Sequence, residues 1–169
     1  MKRLLIVVDM QNDFVFGALG TKEAQLILPA VKARIEKARA EGETIVFTRD
    51  THAENYLSTQ EGENLPVPHC IKGTQGWQIV DGLWLGERVF DKPTFGSKEL
   101  AAYVADGEFS SVTLIGVCTD ICVASNAILI KAEATELPVA VEKVCCAGVT
   151  PATHEAALVT LASCQVKIV

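Results

Sequence analysis

Short apolar runs alternate with helical stretches along this chain of 169 residues, and that alternation most constrains its fold. The runs are continuous in Val, Ile and Leu, which is typical of strands buried on both faces of a parallel sheet. The predicted strands cover residues 4–8, 44–48, 88–90, 112–115, 139–144 and 165–169. The chain should therefore be built around one buried sheet.

Helical patterns fill most of the intervals between these strands. The predicted helices cover residues 29–41, 97–105, 120–135 and 150–162. The first has Pro29 near its start and Gly42 just past its end, the asymmetry expected of helix ends. Alternation of this kind predicts an open, doubly wound α/β fold, with a parallel sheet of about six strands and helices on both faces. The length suits a single domain over residues 1–169.

Composition excludes several classes of protein. With 49% apolar and 21% charged residues, the chain has a globular and not a disordered composition. A formal charge of −6 without a basic run argues against nucleic-acid and membrane-surface partners. No apolar stretch approaches the roughly 20 residues of a membrane helix, and no signal peptide is recognised, so a cytoplasmic protein is expected. Most of the six cysteines are expected to be small buried hydrophobes.

One cysteine stands apart because of the motif around it. Residues 116–123 are Gly-Val-Cys-Thr-Asp-Ile-Cys-Val, between a predicted strand and a predicted helix. Thr119 or Asp120 is a candidate N-cap for that helix. Cys122 then lies in or near the first helical turn, where free N–H groups and the helix dipole favour a thiolate over a thiol. Cys122 is therefore predicted to be a nucleophile.

Two charged residues follow other predicted strands. Asp9 ends the first strand and Lys92 ends the third. Because the carboxyl ends of parallel strands share one edge of the sheet, both should converge with Cys122. The carboxylate could take the thiol proton, the ammonium could hold the charges, and the thiolate could attack a carbonyl carbon. The alternatives are that Asp9 caps the next turn, as Asp13 could, and that Lys92 is a solvated charge.

A second cluster lies in residues 50–86, which contain no convincing long helix or strand. A connection of that length in a compact domain is usually functional. It carries Asp50 and His52, two positions apart and thus on one side of an extended segment, followed by Glu61 and His69. Imidazole and carboxylate together suit zinc, manganese or iron(II). The alternative is a polar loop with two surface histidines.

These motifs together resemble the isochorismatase-like cysteine hydrolases, and especially their nicotinamidase branch. The resemblance covers essentially the whole chain. The motifs that carry it are Asp-Met-Gln-Asn-Asp-Phe at 9–14, Lys-Pro-Thr-Phe at 92–95 and the motif at 116–123. The last is highly specific, and the first two gain weight from their order.

The resemblance implies roles for particular residues. The aspartate, lysine and second cysteine of the motifs form the family's catalytic triad, which corresponds here to Asp9, Lys92 and Cys122. It also implies a cis peptide bond between Val117 and Cys118. The backbone amides of Cys118 and Cys122 would then form an oxyanion hole.

Nicotinamidases also carry a metal site that begins with Asp-x-His and ends in a later His-Cys. The matching residues are Asp50, His52 and His69. The fourth ligand in the family is a histidine or a glutamate, and no histidine lies between His52 and His69. The resemblance thus points to Glu61, with Glu54 and Glu63 as competitors. Zinc is the expected ion, with manganese or iron as alternatives.

The implied activity is metal-assisted hydrolysis of nicotinamide or a similar small primary amide, through a thioester, to the acid and ammonia. Where nicotinamidases usually have a tryptophan before Pro-x-His, this chain has Leu65, while Phe14 is available to pack on a flat ring. Relatives are commonly dimers or tetramers, so a homo-oligomer is expected. His154 lies outside both motifs and is predicted to be an exposed helix residue.

Two alternatives remain at this point. The first is a metal-independent cysteine hydrolase of ureido or carbamoyl compounds. The second, from a different class, is a flavodoxin-like binding or phospho-acceptor domain with Asp9 as the acceptor and Lys92 as its partner.

Overall fold

The computed structural model describes residues 2–169 and contains one six-stranded sheet. The strands are β1 (Lys2–Val8), β2 (Thr44–Asp50), β3 (Arg88–Lys92), β4 (Phe109–Val117), β5 (Val139–Ala147) and β6 (Lys167–Ile168). Their order is β3-β2-β1-β4-β5-β6, and every neighbouring pair is parallel. The helices are α1 (Asn12–Val15), α2 (Lys22–Ala40), α3 (Gln60–Asn64), α4 (Lys98–Asp106), α5 (Ala124–Glu133) and α6 (Pro151–Ser163).

The central strand β1 shows why the apolar runs fold in this way. Leu4 and Ile6 point into one apolar layer, which also contains buried residues of α4, α5 and α6. Leu5 and Val7 point into the other layer, which contains buried residues of α1 and α2. Because successive side chains of a strand face opposite ways, a continuous apolar run fills both layers at once. The doubly wound sheet with helices on both faces is confirmed.

Helix α2 begins earlier than the sequence predicted. It starts at Lys22, capped by the Thr21 side chain, which accepts a hydrogen bond from the Ala24 amide, so Pro29 lies inside the helix and not near its start. Proline has no N–H to donate, so one helical hydrogen bond is lost there. Buried residues on both sides of Pro29 hold the helix against the sheet despite that loss. Gly42, just past the end, has a φ of 68°, as expected of a helix terminator.

The strand order also explains where the polar residues gather. The chain winds outward from β1 through β2 to β3, then returns to place β4 on the other side of β1. Crevices that bind ligands form at the carboxyl ends of the strands beside such a reversal. None of the helices within residues 2–169 has the length and apolar character required to cross a membrane.

Gly116 is required where β1 and β4 meet, opposite Val8 in the strand register. Its φ is 115°, and a Cβ there would clash with the Val8 carbonyl oxygen. Gly73 also has a positive φ, of 85°, but a Cβ there would meet nothing within 4 Å. Alanine substitutions at the two positions can therefore be compared: both introduce backbone strain, but only the one at Gly116 also introduces a steric clash.

We predict that Gly116→Ala destabilises the fold by about 2 kcal/mol or more beyond the loss caused by Gly73→Ala. Both substitutions place an alanine at positive φ, at a cost of about 1–2 kcal/mol, but only the first also pushes two core strands apart. Urea denaturation of the two variants measures the difference. Equal losses in the free energy of unfolding would contradict the prediction.

Candidate active site and metal centre

Asp9, Lys92 and Cys122 lie in contact at the carboxyl edge of the sheet, although they follow or end three different strands. The Lys92 Nζ lies 2.6 Å from Asp9 Oδ2 and 3.4 Å from Cys122 Sγ. Asp9 and Lys92 are fully buried, and Cys122 is 5% exposed. Because water screens these groups little, their mutual interactions are much stronger than between surface charges.

Asp9 is held in one orientation by its neighbour on β2. The Thr48 hydroxyl donates a hydrogen bond to Asp9 Oδ1 at 2.6 Å and accepts one from the Asp9 amide at 3.2 Å. The other carboxylate oxygen therefore faces Lys92. Sequence analysis missed Thr48, because a threonine within a strand gives no signal of its own. Only the pairing of β1 with β2 identifies it.

The protonation of Cys122 differs from what the sequence suggested. Burial, followed by the nearby charge of Asp9, raises the pKa of the Cys122 thiol well above its ordinary value of 9.0, although Lys92 acts in the opposite direction. Burial and the carboxylate thus oppose the effect of the helix start, which by itself favours a thiolate. A base must take the proton before this sulfur can attack, and Asp9 is the adjacent carboxylate.

The charges of the other two groups depend on each other. Burial raises the pKa of Asp9, while the Lys92 charge opposes that rise. Burial alone would lower the pKa of Lys92, but the negative charges of Asp9 and Asp50 raise it above its ordinary value. Lys92 therefore stays an ammonium, and its charge opposes the effect of burial on the Asp9 carboxyl.

The turn that carries Cys122 is a π-helical turn, Thr119–Val123, which runs directly into α5. The N-cap prediction is wrong: Cys118 occupies that position without a side-chain cap. The Thr119 hydroxyl instead bonds His154 Nδ1, and Asp120 Oδ1 accepts a hydrogen bond from the Val149 amide. Both side chains thus contact residues beyond β5 and not the start of the turn.

Backbone groups of this turn are arranged around the sulfur. The peptide bond between Val117 and Cys118 is cis. The Cys118 carbonyl accepts hydrogen bonds from the amides of Ile121 and Val123, each at 3.1 Å. In the part of the chain that the structure describes, the Cys118 amide has no hydrogen-bond acceptor.

Asn126, on α5, is a further residue that sequence analysis missed. Its side-chain amide donates hydrogen bonds to the carbonyls of Cys122, at 2.8 Å, and Phe95, at 3.2 Å. Its Oδ1 accepts one from the Ser97 amide at 2.9 Å. Asn126 thus joins the cysteine turn to the segment after Lys92. A polar residue four positions after Cys122 lies on the same side of a helix, and this spacing could have identified Asn126 from the sequence.

The four residues predicted as metal ligands also come together. The ligand atoms of Asp50, His52, Glu61 and His69 all lie within 4.8 Å of one another. Asp50 Oδ2 lies 2.9 Å from His52 Nε2 and 3.4 Å from His69 Nε2. Glu61 Oε1 lies 3.6 Å and 3.8 Å from the same two nitrogens. Glu54 and Glu63 are exposed and outside this group.

This donor set fits a divalent ion. Zinc usually binds four ligands tetrahedrally with bonds of about 2.0–2.2 Å, so its ligand atoms lie about 3.4 Å apart. The carboxylate–imidazole distances here, 2.9–3.8 Å, bracket that value. The His69 Nδ1–H donates to the Val67 carbonyl at 2.8 Å, which leaves Nε2 with its lone pair facing the cluster. Two imidazoles and two carboxylates are ligands that zinc, manganese and iron(II) accept.

Neighbouring residues hold these ligands in place. The Gln11 side-chain amide donates to the carbonyls of Asp50 and Trp77, each at 2.9 Å, and its Oε1 accepts from the Asp50 amide. The buried Tyr56 ring lies 4.7 Å from the His52 ring and 5.0 Å from the His69 ring. Asp13, weighed above as a turn cap, accepts a hydrogen bond from the Cys70 amide and so anchors the segment that ends the cluster.

A cavity of about 530 Å³ opens onto both groups of residues. Its lining includes Cys118 and Cys122 together with Asp50, Glu61 and His69. Phe14, the predicted pocket residue, lines it as well, with its ring 5.6 Å from that of His69. Leu65 is also part of the wall. The cavity thus brings together the Cys122 sulfur, two carboxylates, an imidazole and an apolar wall.

The predicted exposed environment of His154 is wrong. It is half-buried on α6, with Nδ1 2.8 Å from the Thr119 hydroxyl. The helix was predicted correctly, but a single sequence could not show which face of it meets the cysteine turn.

Comparison with known proteins finds relatives of this chain in both sequence and structure. The isochorismatase domain model matches residues 3–169. The nicotinamidase of Saccharomyces cerevisiae is 27% identical over 75% of this chain and 80% of its own length. An Arabidopsis thaliana protein named "probable inactive nicotinamidase" is 30% identical over 96% of this chain and 89% of its own. The solved structure of Pyrococcus horikoshii pyrazinamidase in complex with zinc has a TM-score of 0.88 and 32% identity, covering 100% of this chain and 99% of that one.

We predict that Lys92→Met makes the fold less stable as pH rises. Without the ammonium, burial raises the pKa of Asp9 further above its ordinary value of 3.8. Above about pH 4 the folded variant retains a proton that the unfolded chain has released. The free energy of unfolding then falls by about 1.4 kcal/mol per pH unit per proton, up to the folded-state pKa.

Urea denaturation of the wild type and the variant between about pH 5 and pH 8 measures this slope. The matched control is the double variant Lys92→Met with Asp9→Asn, which has no carboxyl group to titrate at this position and should lose the added slope. A Lys92→Met protein whose stability changes with pH as the wild type's does would contradict the prediction.

Proposed function

This chain belongs to the isochorismatase domain family, and from that premise we propose that it hydrolyses nicotinamide or a similar small primary amide with the help of a divalent metal ion. It is a nicotinamidase-like hydrolase of amide bonds, as its relatives indicate. One observation carries the finer proposal: Cys122 and the Asp50–Glu61–His69 side of the metal cluster line the same cavity. A bound amide could reach both at once.

In the proposed reaction, Asp9 begins as the base. Its carboxylate takes the proton of the Cys122 thiol, and the sulfur attacks the amide carbon. The raised pKa of the thiol is the reason that the sulfur needs a base before it can attack. Lys92, in contact with both groups, keeps its charge and stabilises whichever partner is anionic.

The carbonyl oxygen becomes an anion in this step and needs donors beside the sulfur. The backbone amides of Cys118 and Cys122 are the proposed donors, a role supported by the absence of an acceptor for the Cys118 amide within residues 2–169. Losing one such donor typically costs about 10²–10³-fold in rate.

The tetrahedral adduct then collapses, and the C–N bond breaks. Asp9 returns its proton to the leaving nitrogen, which departs as ammonia, and a thioester remains on Cys122. Asp9, ionised again, takes a proton from a water molecule that attacks the thioester. The C–S bond breaks, the acid product leaves, and Asp9 passes the proton taken from water to the Cys122 sulfur.

The proposed metal ligands are Asp50, His52, Glu61 and His69, with zinc favoured. Zinc is supported by the two-imidazole, two-carboxylate donor set and by the zinc complex of the Pyrococcus relative. When bound, the ion would supply a Lewis acid able to hold the ring nitrogen of a substrate. Asp50 also links the two parts of the site, because its Oδ1 lies 3.5 Å from Lys92 Nζ.

The alternatives are less well supported. A metal-independent hydrolase of ureido or carbamoyl compounds would leave four converging ligand side chains without a role. A phospho-acceptor aspartate must be accessible to a phosphoryl group, whereas Asp9 is fully buried. The relative named as inactive does not decide the matter, because in this chain the acid, lysine and cysteine are all present and in contact.

We predict that ammonia release from a panel of small primary amides detects activity, with pyridine and pyrazine carboxamides among the best substrates. Cys122→Ala should abolish turnover, since no other nucleophile lies at this position. Cys118→Ala should retain much of it, because only the Cys118 backbone is proposed to act. A dead Cys118→Ala enzyme beside an active Cys122→Ala enzyme would reverse the assignment, and an inactive wild type would refute the function.

We also predict that Glu61→Gln weakens zinc binding by at least about tenfold, measured by competition with a chromophoric chelator. Glu54→Gln and Glu63→Gln are the matched controls, since both glutamates are exposed and outside the cluster. Chelation should lower amide hydrolysis while leaving the protein folded, and added zinc or manganese should restore activity. Equal zinc affinities for all three variants would exclude Glu61 as a ligand.

A further inference from the structure

His154 lies outside the proposed triad and metal cluster, yet it contacts the cysteine turn. Its Nδ1 lies 2.8 Å from the Thr119 hydroxyl. Thr119 is fully buried. Within residues 2–169 that hydroxyl has no second side-chain or backbone partner. A buried hydroxyl without a partner is costly, so this single contact determines where the Thr119 side chain can lie.

Other residues that follow β5 also contact the cysteine turn. Asp120 Oδ1 accepts a hydrogen bond from the Val149 amide at 3.1 Å. A Cβ added at Gly148 would lie 2.9 Å from the backbone and side chain of His154, so the chain after β5 approaches this histidine closely. The β5–α6 connection and the first turn of α6 therefore hold two consecutive residues of the cysteine turn.

The same turn is held from inside by its own backbone. The Cys118 carbonyl accepts the amides of Ile121 and Val123, so the peptide plane between Cys118 and Thr119 is fixed on one side by the turn. On the other side it is fixed through the Thr119 side chain and His154. The Cys118 N–H belongs to the preceding Val117–Cys118 peptide, which meets this plane at the Cys118 Cα. Holding this plane on both sides therefore restricts the direction of the N–H relative to the Cys122 sulfur.

We propose that His154 is a positioning residue, which holds Thr119 so that the Cys118 amide faces the oxyanion formed during amide hydrolysis. This inference rests on the proposed function and adds a residue to it. His154 does not line the cavity and so acts through Thr119, not on the substrate. Because an error of about 1 Å in such a donor can cost about 10²-fold, a contact behind the turn is sufficient to control the rate.

The variants that test the proposal differ in where they place a polar atom. His154→Ala removes the partner of Thr119. His154→Asn returns an amide group at the same number of bonds from Cβ as Nδ1, whereas His154→Gln places it one bond farther out. Glu155→Gln is the control, since Glu155 is an exposed residue of the same helix.

We expect His154→Ala to lower kcat for amide hydrolysis by about tenfold or more, with KM changed less than about twofold. His154→Asn should recover most of kcat, His154→Gln should not, and Glu155→Gln should match the wild type. In a double-mutant cycle of His154→Ala with Thr119→Val, the double variant should lose no more kcat than either single variant, because both substitutions remove the same contact. Independent, multiplying losses or an unchanged kcat in His154→Ala would overturn the proposal.

Alkylation of Cys122 by iodoacetamide, followed by mass spectrometry, separates positioning from general damage. The sulfur displaces iodide in that reaction, and no oxyanion forms. His154→Ala should therefore alkylate Cys122 at close to the wild-type rate while it hydrolyses amides slowly. Parallel losses in both reactions would mean that the variant disturbs the whole site and would overturn the proposal. A wild type that alkylates at Cys122 but hydrolyses no amide would instead refute the proposed function.

Discussion

The ion pair between Lys92 and Asp9 is the interaction on which the rest of this site depends. Both groups are fully buried, and their charged atoms lie 2.6 Å apart. Removing an ion from water costs several kcal/mol, so neither charge is tolerable without the other. The same ammonium also lies within 3.5 Å of Cys122 and Asp50. One buried cation therefore fixes the relative positions of three strand ends and the cysteine turn.

The sheet makes this concentration of charge possible. Strands β1, β2 and β3 end side by side, and β4 returns beside β1, so polar residues at four strand ends share one edge. Their backbones are held by strand hydrogen bonds, which keeps the charged groups in register. The connection after β2 is different, because it contains little regular structure. It is held by side chains, chiefly Gln11, Asp13 and Tyr56, that bond or pack against the metal-ligand segment.

Sequence patterns predicted features that depend on local order, and missed those that depend on contacts across the fold. Continuous apolar runs predicted the parallel sheet because burial on both faces leaves no room for alternation. The start of α2 was missed because a proline favours a helix start locally, while packing of that helix on the sheet tolerates it inside. The partners of Thr119 and Asp120 were missed because they lie about 30 residues further along the chain.

The sequence by itself determined the alternation of strands and helices, and it supplied the acid, lysine, cysteine and imidazole groups at the strand ends. Only the tertiary structure decided their chemical state. It made Cys122 a buried thiol beside a carboxylate, placed Glu61 and not Glu54 or Glu63 beside the histidines, and turned His154 toward the cysteine turn. The reason is physical: a periodic pattern records which residues are neighbours along one element. Proton affinity and metal coordination depend on burial and on distances of a few ångströms between residues far apart in the chain.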